Sequence, residues 1–185
     1  MIQDLMIQAI GFLGVVCFIL SFQIKSNRAL FFMQMLGSAV FCLQFFLLGG
    51  ISGCLSLLTF ILRNVLLLQI HRWEWVAWKG WIGIFGIVYV VILVVAWQGP
   101  VSFLPFVAGV VSTIGAWTNN AQKIRLANLA CVSPCWLVYD VLIGSWAGVL
   151  NESVILCSIL VSIFRYGWKA MGDPDSEFQK SGRKE

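Results

Sequence analysis

The sequence predicts an all-α membrane protein whose seven transmembrane helices form two parallel three-helix bundles joined by a linker helix, a 3+1+3 arrangement. Three observations predict this fold: the spacing of apolar segments, the placement of cationic residues, and an internal repeat. Of the 185 residues, 60% are hydrophobic and only 11% are charged, which leaves too little polar surface for a soluble domain of this size. The net charge of +4 therefore does not indicate a nucleic-acid partner, and the expected partner is the lipid bilayer.

Seven apolar stretches divide the chain, each close to the roughly 20 residues that a helix needs to cross a hydrocarbon core. They cover residues 5–22, 29–48, 51–70, 81–97, 102–117, 126–143 and 146–165. The first follows Asp4 with no Lys or Arg before it, and no small-residue cleavage site comes after it. We therefore expect a membrane helix there rather than a cleaved signal peptide. In the sixth stretch, Pro134 lacks a backbone donor and is expected to bend the helix.

All twelve Lys and Arg residues fall on one side of this seven-pass topology. They occupy the first, third and fifth connections, the inner part of the third segment, and the carboxyl-terminal end. The connections at 49–51, 98–101 and 144–145 contain none. Because cationic loops are retained in the cytoplasm, the amino terminus is predicted to be outside and the carboxyl terminus cytoplasmic.

An internal repeat relates the two halves of the chain. A shift of 95 residues (144 − 49) places the first three segments over the last three, so that Gly49 meets Gly144 and Ser38 meets Ser133. Two three-helix units in the same orientation need one extra crossing between them, which the fourth segment supplies. The predicted divisions are a first repeat over 1–70, a Trp-rich interfacial segment with the linker helix over 71–101, a second repeat over 102–168, and a disordered cytoplasmic tail over 169–185.

The linker segment and the residues before it have a composition suited to a lipid environment. Segment four is apolar or Gly apart from Tyr89, so we expect it to face lipid. Four Trp residues precede or begin it, at positions 73, 75, 78 and 81. Amphipathic rings of this kind anchor helices in the headgroup region.

Polar residues recur at helical spacing in the third segment. Ser52, Ser56, Thr59 and Arg63 are separated by 4, 3 and 4 residues, which places them on one helical face. Arg63 lies about 18 Å from the outer end of that helix at 1.5 Å per residue. It could extend to the inner headgroups, but because it continues a polar face we favour an inward orientation.

The sixth and seventh segments carry a second polar group. Ser133, Trp136 and Asp140 share one face of segment six. In segment seven, Asn151 precedes Glu152, which lies about 9 Å deep at helical rise. An unpaired carboxylate at that depth is costly, so we expect either a partner or a protonated carboxyl group. Arg63 on the equivalent helix is one candidate partner. Such a pair could contact a solute or could only hold the two units together, and both alternatives stay open.

The predicted solute-binding residues are the polar or aromatic side chains of segments two, three, six and seven that would face the bundle interior. They are Gln34, Ser56, Thr59, Arg63, Asn64, Ser133, Trp136, Asn151 and Glu152.

No catalytic triad, phosphate-binding Gly loop or metal-ligand cluster is recognisable in the sequence. Cys131 and Cys135 lie one helical turn apart, but neither a His nor a second Cys pair accompanies them. We therefore predict no enzymatic activity, no cofactor and no metal.

Short motifs spread over residues 9 to 166 carry a family resemblance. They are Phe22-Gln23-Ile24-Lys25 with Asn27-Arg28, Leu47-Leu48-Gly49-Gly50 with Gly53, Arg63-Asn64, Trp117, Lys123-Ile124-Arg125, Ser133-Pro134 with Trp136-Leu137-Val138-Tyr139, Gly144-Ser145, Gly148, Glu152, Ser158 and Arg165-Tyr166. In these motifs the chain resembles the YgjV-like family of bacterial inner-membrane proteins. The resemblance implies location in the inner (plasma) membrane and no settled activity.

A weaker resemblance is to the SWEET, PQ-loop and PnuC type of small-solute carriers, which have two three-helix bundles and a linker helix. Trp136-Leu137-Val138-Tyr139 is similar to their second-helix pattern. Their proline-glutamine pair is missing, because Phe22-Gln23 and Ala121-Gln122 stand in its place. Sugar specificity is therefore not transferred.

Two functions of different classes remain. The leading prediction is a carrier or facilitator of a small polar solute, with its site between the two repeats. The alternative is a membrane scaffold or regulatory protein without transport activity. The sequence leaves open the solute, the coupling ion, the transport direction, and whether the protein forms a homo-oligomer.

Overall fold

A computed structural model of the chain describes residues 2–21, 27–69, 72–118 and 121–170. Regular secondary structure in that described part is helical throughout, which confirms the predicted all-α class. The principal helices are α1 (Ile2–Ser21), α2 (Asn27–Leu47), α3 (Ile51–Leu67), α4 (Gly80–Val95), α5 (Phe103–Trp117), α6 (Ala121–Ala127), α7 (Ser133–Ile143) and α8 (Trp146–Ala170). The motif Phe22-Gln23-Ile24-Lys25 and residues 171–185 of the expected tail lie outside the described residues.

Two glycine turns end α2 and α7 with matching hydrogen bonds. Gly49 has φ 78° and Gly144 has φ 77°, a left-handed conformation that glycine adopts without a Cβ clash. The N–H of Gly50 donates to the carbonyl of Phe45 at 2.8 Å, and the N–H of Ser145 donates to that of Asp140 at 2.8 Å. This six-residue closure is the Schellman ending of a helix, so Gly49 and Gly144 end α2 and α7 in the same way.

A π turn joins α6 and α7 into one continuous helical stretch. It covers Asn128–Val132, immediately before Ser133 and Pro134. Proline cannot donate to the carbonyl four residues earlier, and its ring crowds that carbonyl. A wider turn relieves this conflict. The π turn thus lies just before Pro134, where the sequence predicted a bend.

A 3₁₀ turn at Glu74–Ala77 precedes α4, and a second at Pro100–Ser102 precedes α5. Around the first, Trp73, Trp75 and Trp78 are exposed, whereas the Trp81 indole donates to the Trp75 carbonyl at 3.1 Å. This exposure fits aromatic side chains that anchor a helix at a lipid headgroup region.

The helices pack in an order that links the two ends of the chain. Helix α1 lies against α2 and α8, while α3 lies against α2, α4 and α5. Helix α5 also contacts α4 and α7, and α7 contacts α8. The larger apolar core includes Phe41 and Phe45 of α2, Cys54 of α3, Tyr139 of α7 and Ala147 of α8. The core therefore lies where the first three helices meet the last ones.

Helix α4 is exposed along most of its surface, as expected, but Tyr89 is not. Val91, Val94 and Val95 are exposed, whereas Tyr89 is only 1% exposed. The Tyr89 ring occupies the space that a side chain at Gly109 of α5 would need. Tyr89 thus faces α5 because the missing Cβ at Gly109 leaves room for an aromatic ring.

Two of the described helical stretches, Pro100–Trp117 and Lys123–Ile143, are long and apolar enough to cross a membrane by length and composition. Five shorter apolar helices of 10–17 residues are also present in the described part. They are Asp4–Leu20, Phe32–Leu47, Ile51–Leu67, Gly80–Val95 and Trp146–Val161.

Candidate functional site

Arg63 of α3 is buried against α5. Its side chain is 3% exposed, and one terminal nitrogen donates to Ser112 Oγ at 2.8 Å and to Thr113 Oγ1 at 3.1 Å. The other terminal nitrogen donates to Asn64 Oδ1 at 3.3 Å. The expected inward orientation of Arg63 is therefore confirmed.

The groups that hold Arg63 are neutral. The Ser112 and Thr113 hydroxyls donate their own protons to the Gly109 carbonyl, at 3.0 and 2.8 Å, which leaves their lone pairs for the guanidinium. The guanidinium also lies 4.6 Å from the centre of the Phe60 ring, within cation–π range. Its Nε is buried and has no hydrogen-bond partner. Arg63 thus keeps its Nε donor for a further acceptor.

A second polar cluster, the acidic cluster, consists of Ser133, Asp140, Asn151 and Glu152. The Asn151 amide donates to Glu152 Oε1 at 3.2 Å, and the Glu152 carboxyl interacts with the Ser133 hydroxyl. Asp140 is 2% exposed, its Oδ1 has no hydrogen-bond partner, and its carboxyl group is within electrostatic range of Glu152. Two acidic side chains thus lie within electrostatic range of each other where α7 packs on α8.

A glycine makes room for this arrangement. The Asp140 carboxyl group lies where a side chain at Gly148 would stand. Helix α8 can therefore approach α7 closely, which brings Glu152 one turn further along α8 to the face that α7 covers.

Arg63 and Glu152 do not pair, because each has its own neutral partners on different helices. No ion pair joins them in the structure, in which both side chains are described. Arg63, one candidate partner for the Glu152 carboxyl, is therefore not its partner in this structure, and a solute shared by the two residues stays a prediction. The two residues lie on helices that the 95-residue shift aligns, but they are not at aligned positions, because Arg63 aligns with Ser158 and Glu152 with Leu57.

The remaining predicted residues of α2 and α3 have mostly local contacts. Thr59 donates to the carbonyl of Leu55 at 2.9 Å, and Ser56 is buried with no partner for its hydroxyl. Gln34 is half-buried, and its main-chain carbonyl accepts from Ser38 at 2.9 Å. Of these, Ser56 is the residue with free hydrogen-bonding capacity inside the protein.

Trp136 lies in an aromatic group. Its ring stacks on Phe45 with centroids 5.9 Å apart and meets the Tyr139 ring edge-on at 5.7 Å. Phe45 and Tyr139 also contact edge-on, at 5.7 Å. These three side chains fill the space between α2 and α7, so Trp136 packs the contact between the two halves of the chain.

The sequence prediction missed the contacts that hold the two glycine turns. The Tyr139 hydroxyl of the second half accepts from the main-chain N–H of Gly53 at 3.0 Å. In return, Gln44 of the first half accepts from the Ser145 hydroxyl at 3.1 Å. Positions 44 and 139 differ by the repeat shift of 95 (139 − 44). The side chains at the two positions differ in type, so the shift alone did not predict that each contacts the opposite half.

A third side chain completes this network. The Gln8 amide of α1 donates to the Gly144 carbonyl at 2.7 Å, and its oxygen accepts from the N–H of Trp146 at 3.2 Å. Gln44 is fully buried and donates to the Gln8 oxygen at 3.3 Å. The turn between α7 and α8 is therefore bound by two glutamines from the first half.

Two cavities are open to the surface. One of about 300 Å³ lies between the Gly49 turn, the 98–101 loop and the end of α7, and Ser52, Gln98 and Tyr139 supply polar atoms to it. The other, about 430 Å³, is a shallow groove along α8 that includes Ser153 and Ser158. Neither is lined by Arg63 or by Glu152.

Comparison with known proteins assigns a family. No curated protein and no solved structure matches the chain, so the resemblance to SWEET, PQ-loop and PnuC carriers stays a prediction. Residues 5–170 match the Imp-YgjV family, described as bacterial inner membrane protein. This match covers nearly the whole chain and agrees with the resemblance that the sequence motifs carried. The chain therefore belongs to the Imp-YgjV family of bacterial inner membrane proteins.

Proposed function

We propose that the chain crosses the inner membrane seven times, with two parallel three-helix repeats (α1–α3 and α5–α8, in which α6 and α7 count as one crossing) and α4 as the linker. The amino terminus is outside and the carboxyl terminus cytoplasmic. The cation distribution supports the orientation, because the three connections without Lys or Arg alternate with those that carry them.

Three pairs of equivalent features support the repeat. The turns at Gly49 and Gly144 have the same φ and the same closing hydrogen bonds. Gln44 and Tyr139, at equivalent positions, each contact the turn of the opposite half. The packing of α1 on α8 corresponds to that of α5 on α3 when the halves are exchanged.

Reporter fusions test this topology. A reporter that is active only in the cytoplasm should be active when fused after Glu185 and inactive when inserted at Gly99. A reporter active only outside should give the opposite pattern at the two sites. The matched control is insertion after Lys79, in a cation-bearing connection, which should behave like the fusion at Glu185. Reversed activities would exclude the orientation.

We further propose that the protein is a carrier or facilitator of a small polar solute. One observation carries this: ionisable side chains are buried inside the helical packing without opposite charges as partners. Arg63 has neutral partners and a free Nε, and Asp140 has a free oxygen beside Glu152. Charged groups inside a membrane are costly, and they typically mark solute or ion pathways.

The chemistry of the two polar groups narrows the solute class. The acidic cluster offers two carboxyl groups, a hydroxyl and an amide, which suit a cationic or hydrogen-bond-donating group. Arg63 with Asn64 suits an acceptor or anionic group. The candidate site residues Ser56, Thr59, Arg63, Asn64, Gln34, Ser133, Trp136, Asn151 and Glu152 would thus serve polar solutes rather than apolar ones.

A ligand screen by thermal unfolding of the purified protein tests this function. A solute at about 100 times its Kd stabilises the folded state by about 2.7 kcal/mol. Glu152→Gln should weaken binding of that solute at least tenfold, or about 1.4 kcal/mol, because the variant keeps the shape of the side chain but loses the charge. Glu74→Gln, at an exposed acid, is the matched control and should bind like the wild type. Equal binding by both variants would remove Glu152 from the site.

The second candidate, a membrane scaffold, is favoured by a separate observation. Phe45, Trp136 and Tyr139 fill the contact between the halves, and Gln44 and Ser145 bond across it. A rigid contact of this kind holds helices together but does not by itself move a solute. If no solute stabilises the wild type and a defined partner protein co-purifies through the helical bundle, the scaffold function replaces the carrier.

A further inference from the structure

Two buried cysteines face each other across the α2–α3 hairpin. Cys42 and Cys54 are each 8% exposed, and their sulfur atoms are 2.8 Å apart. The Cys42 sulfur also lies 3.5 Å from the carbonyl oxygen of Cys54. Two sulfur atoms at this separation are closer than ordinary non-bonded contact allows, and a bond between them needs about 2.05 Å. A displacement of less than about 1 Å therefore separates this pair from a disulfide.

The turn holds the two cysteines in register. Gly49 and Gly50 reverse the chain with two closing hydrogen bonds, to Phe46 and Phe45. Cys42 and Cys54 are 12 residues apart in sequence, and the short hairpin keeps them opposite each other. The contact is thus a property of the folded hairpin and does not depend on a flexible loop.

The position of the pair along the helices favours oxidation. Cys54 lies three residues after the start of α3, about 4.5 Å from the helix end at 1.5 Å per residue. Cys42 lies five residues before the end of α2, about 7.5 Å from it. In the proposed orientation this end faces the periplasm, an oxidising compartment in which disulfides form and persist.

We propose that Cys42 and Cys54 form an intrachain disulfide that fixes α2 to α3 at the periplasmic end. This inference rests on the proposed orientation. One thiolate attacks the disulfide of a periplasmic thiol oxidase and forms a mixed disulfide; the second thiolate then displaces the oxidase sulfur. The pair loses two protons and two electrons, and the oxidase disulfide becomes a dithiol.

Cys131 and Cys135 provide an internal comparison. Their sulfur atoms are 4.0 Å apart on one helical stretch. Side chains one turn apart on a helix have Cβ atoms about 5–6 Å apart, whereas a disulfide needs about 3.5–4.5 Å. This pair should therefore remain reduced.

The test measures free thiols in the full chain: native membranes are quenched with acid, and the chain is then unfolded in denaturing detergent at neutral pH so that every thiol is accessible to the reagent. The test variant keeps Cys42 and Cys54 and replaces the other four cysteines by alanine. It should bind no maleimide reagent before reduction and two after reduction. The matched control keeps only Cys131 and Cys135 and should bind two before and two after. If a variant folds poorly, the wild-type chain serves instead. It is alkylated with a light reagent before reduction and with a heavy reagent after it, so that heavy label marks cysteines that were oxidised.

Three outcomes decide the proposal. Heavy label on both Cys42 and Cys54, lost in cells without the periplasmic oxidase, supports it. Light label on both overturns it, and so does a disulfide-linked dimer on a non-reducing gel. Reporter fusions show whether the disulfide or the orientation is wrong. If the carboxyl terminus is cytoplasmic and both thiols are reduced, the orientation holds and only the disulfide is refuted.

Discussion

Replacement of Tyr139 by alanine is expected to lower the free energy of unfolding by about 3 kcal/mol. This is the lower end of the range for a deleted aromatic core side chain, because expulsion of water contributes less between helices in lipid. Tyr139 is 1% exposed, packs on Phe45 and Trp136, and accepts from Gly53 N–H. Alanine removes all of these contacts and leaves a cavity between the halves.

Two companion variants separate the causes of this loss. Tyr139→Phe keeps the ring and removes the hydroxyl, so it should cost about 1–2 kcal/mol from the unpaired Gly53 donor. Val138→Ala changes the exposed neighbouring position and should change stability by less than about 0.5 kcal/mol. Equilibrium unfolding in mixed micelles measures all three. Equal losses for Tyr139→Ala and Val138→Ala would contradict the placement of Tyr139 between the halves.

Added methyl groups at Gly53 and Gly148 are expected to destabilise the protein by about 1–3 kcal/mol each, as overpacking does. A Cβ on Gly53 would stand 2.5 Å from the Tyr139 ring, and one on Gly148 would overlap the Asp140 carboxyl group. Both partners are buried and cannot move into solvent. Each added methyl group would overlap one buried side chain, so the two losses should be similar.

Gly83 of α4 is the matched control for these variants. No atom lies within 4 Å of the Cβ that would be added there, so Gly83→Ala should stabilise the helix by up to about 1 kcal/mol. Thermal unfolding in detergent, with all three variants side by side, measures the contrast. A gain at Gly53 or Gly148 similar to that at Gly83 would show that α3 and α7, or α7 and α8, are not in close contact.

Helix positions were predictable because they depend on local pattern. The apolar stretch at 29–48 corresponds to α2 (Asn27–Leu47), and that at 51–70 to α3 (Ile51–Leu67). At the sixth stretch the helix begins before the apolar residues, because Ala121–Ala127 is a polar helical start that a hydropathy criterion does not detect. The π turn itself was not predicted. Pro134 indicates that the regular helical hydrogen bonding is interrupted, but not which backbone conformation follows.

The partners of the buried charges were not predictable in the same way. The depth and spacing of Arg63 indicated burial, and the structure agrees. Its acceptors, Ser112 and Thr113, belong to α5, a segment that contributed no residue to the predicted site. Nothing in the sequence pattern shows that a Ser or Thr within an apolar segment will bind an arginine. Such residues also occur at ordinary contacts between membrane helices. For this reason the predicted partner, Glu152, was another charge.

The sequence by itself determined the all-α class, the helix-ending turns at Gly49 and Gly144, and the inward burial of Arg63. These follow from helical period, from the left-handed conformation that glycine alone adopts freely, and from the cost of a charge in an apolar surrounding. Only the tertiary structure decided that Arg63 is held by hydroxyls, that Asp140 lies within electrostatic range of Glu152, and that Gln44 and Tyr139 each bind the opposite half. Those contacts depend on how closely α3, α5, α7 and α8 approach, and such approach is set by packing between residues far apart in the chain.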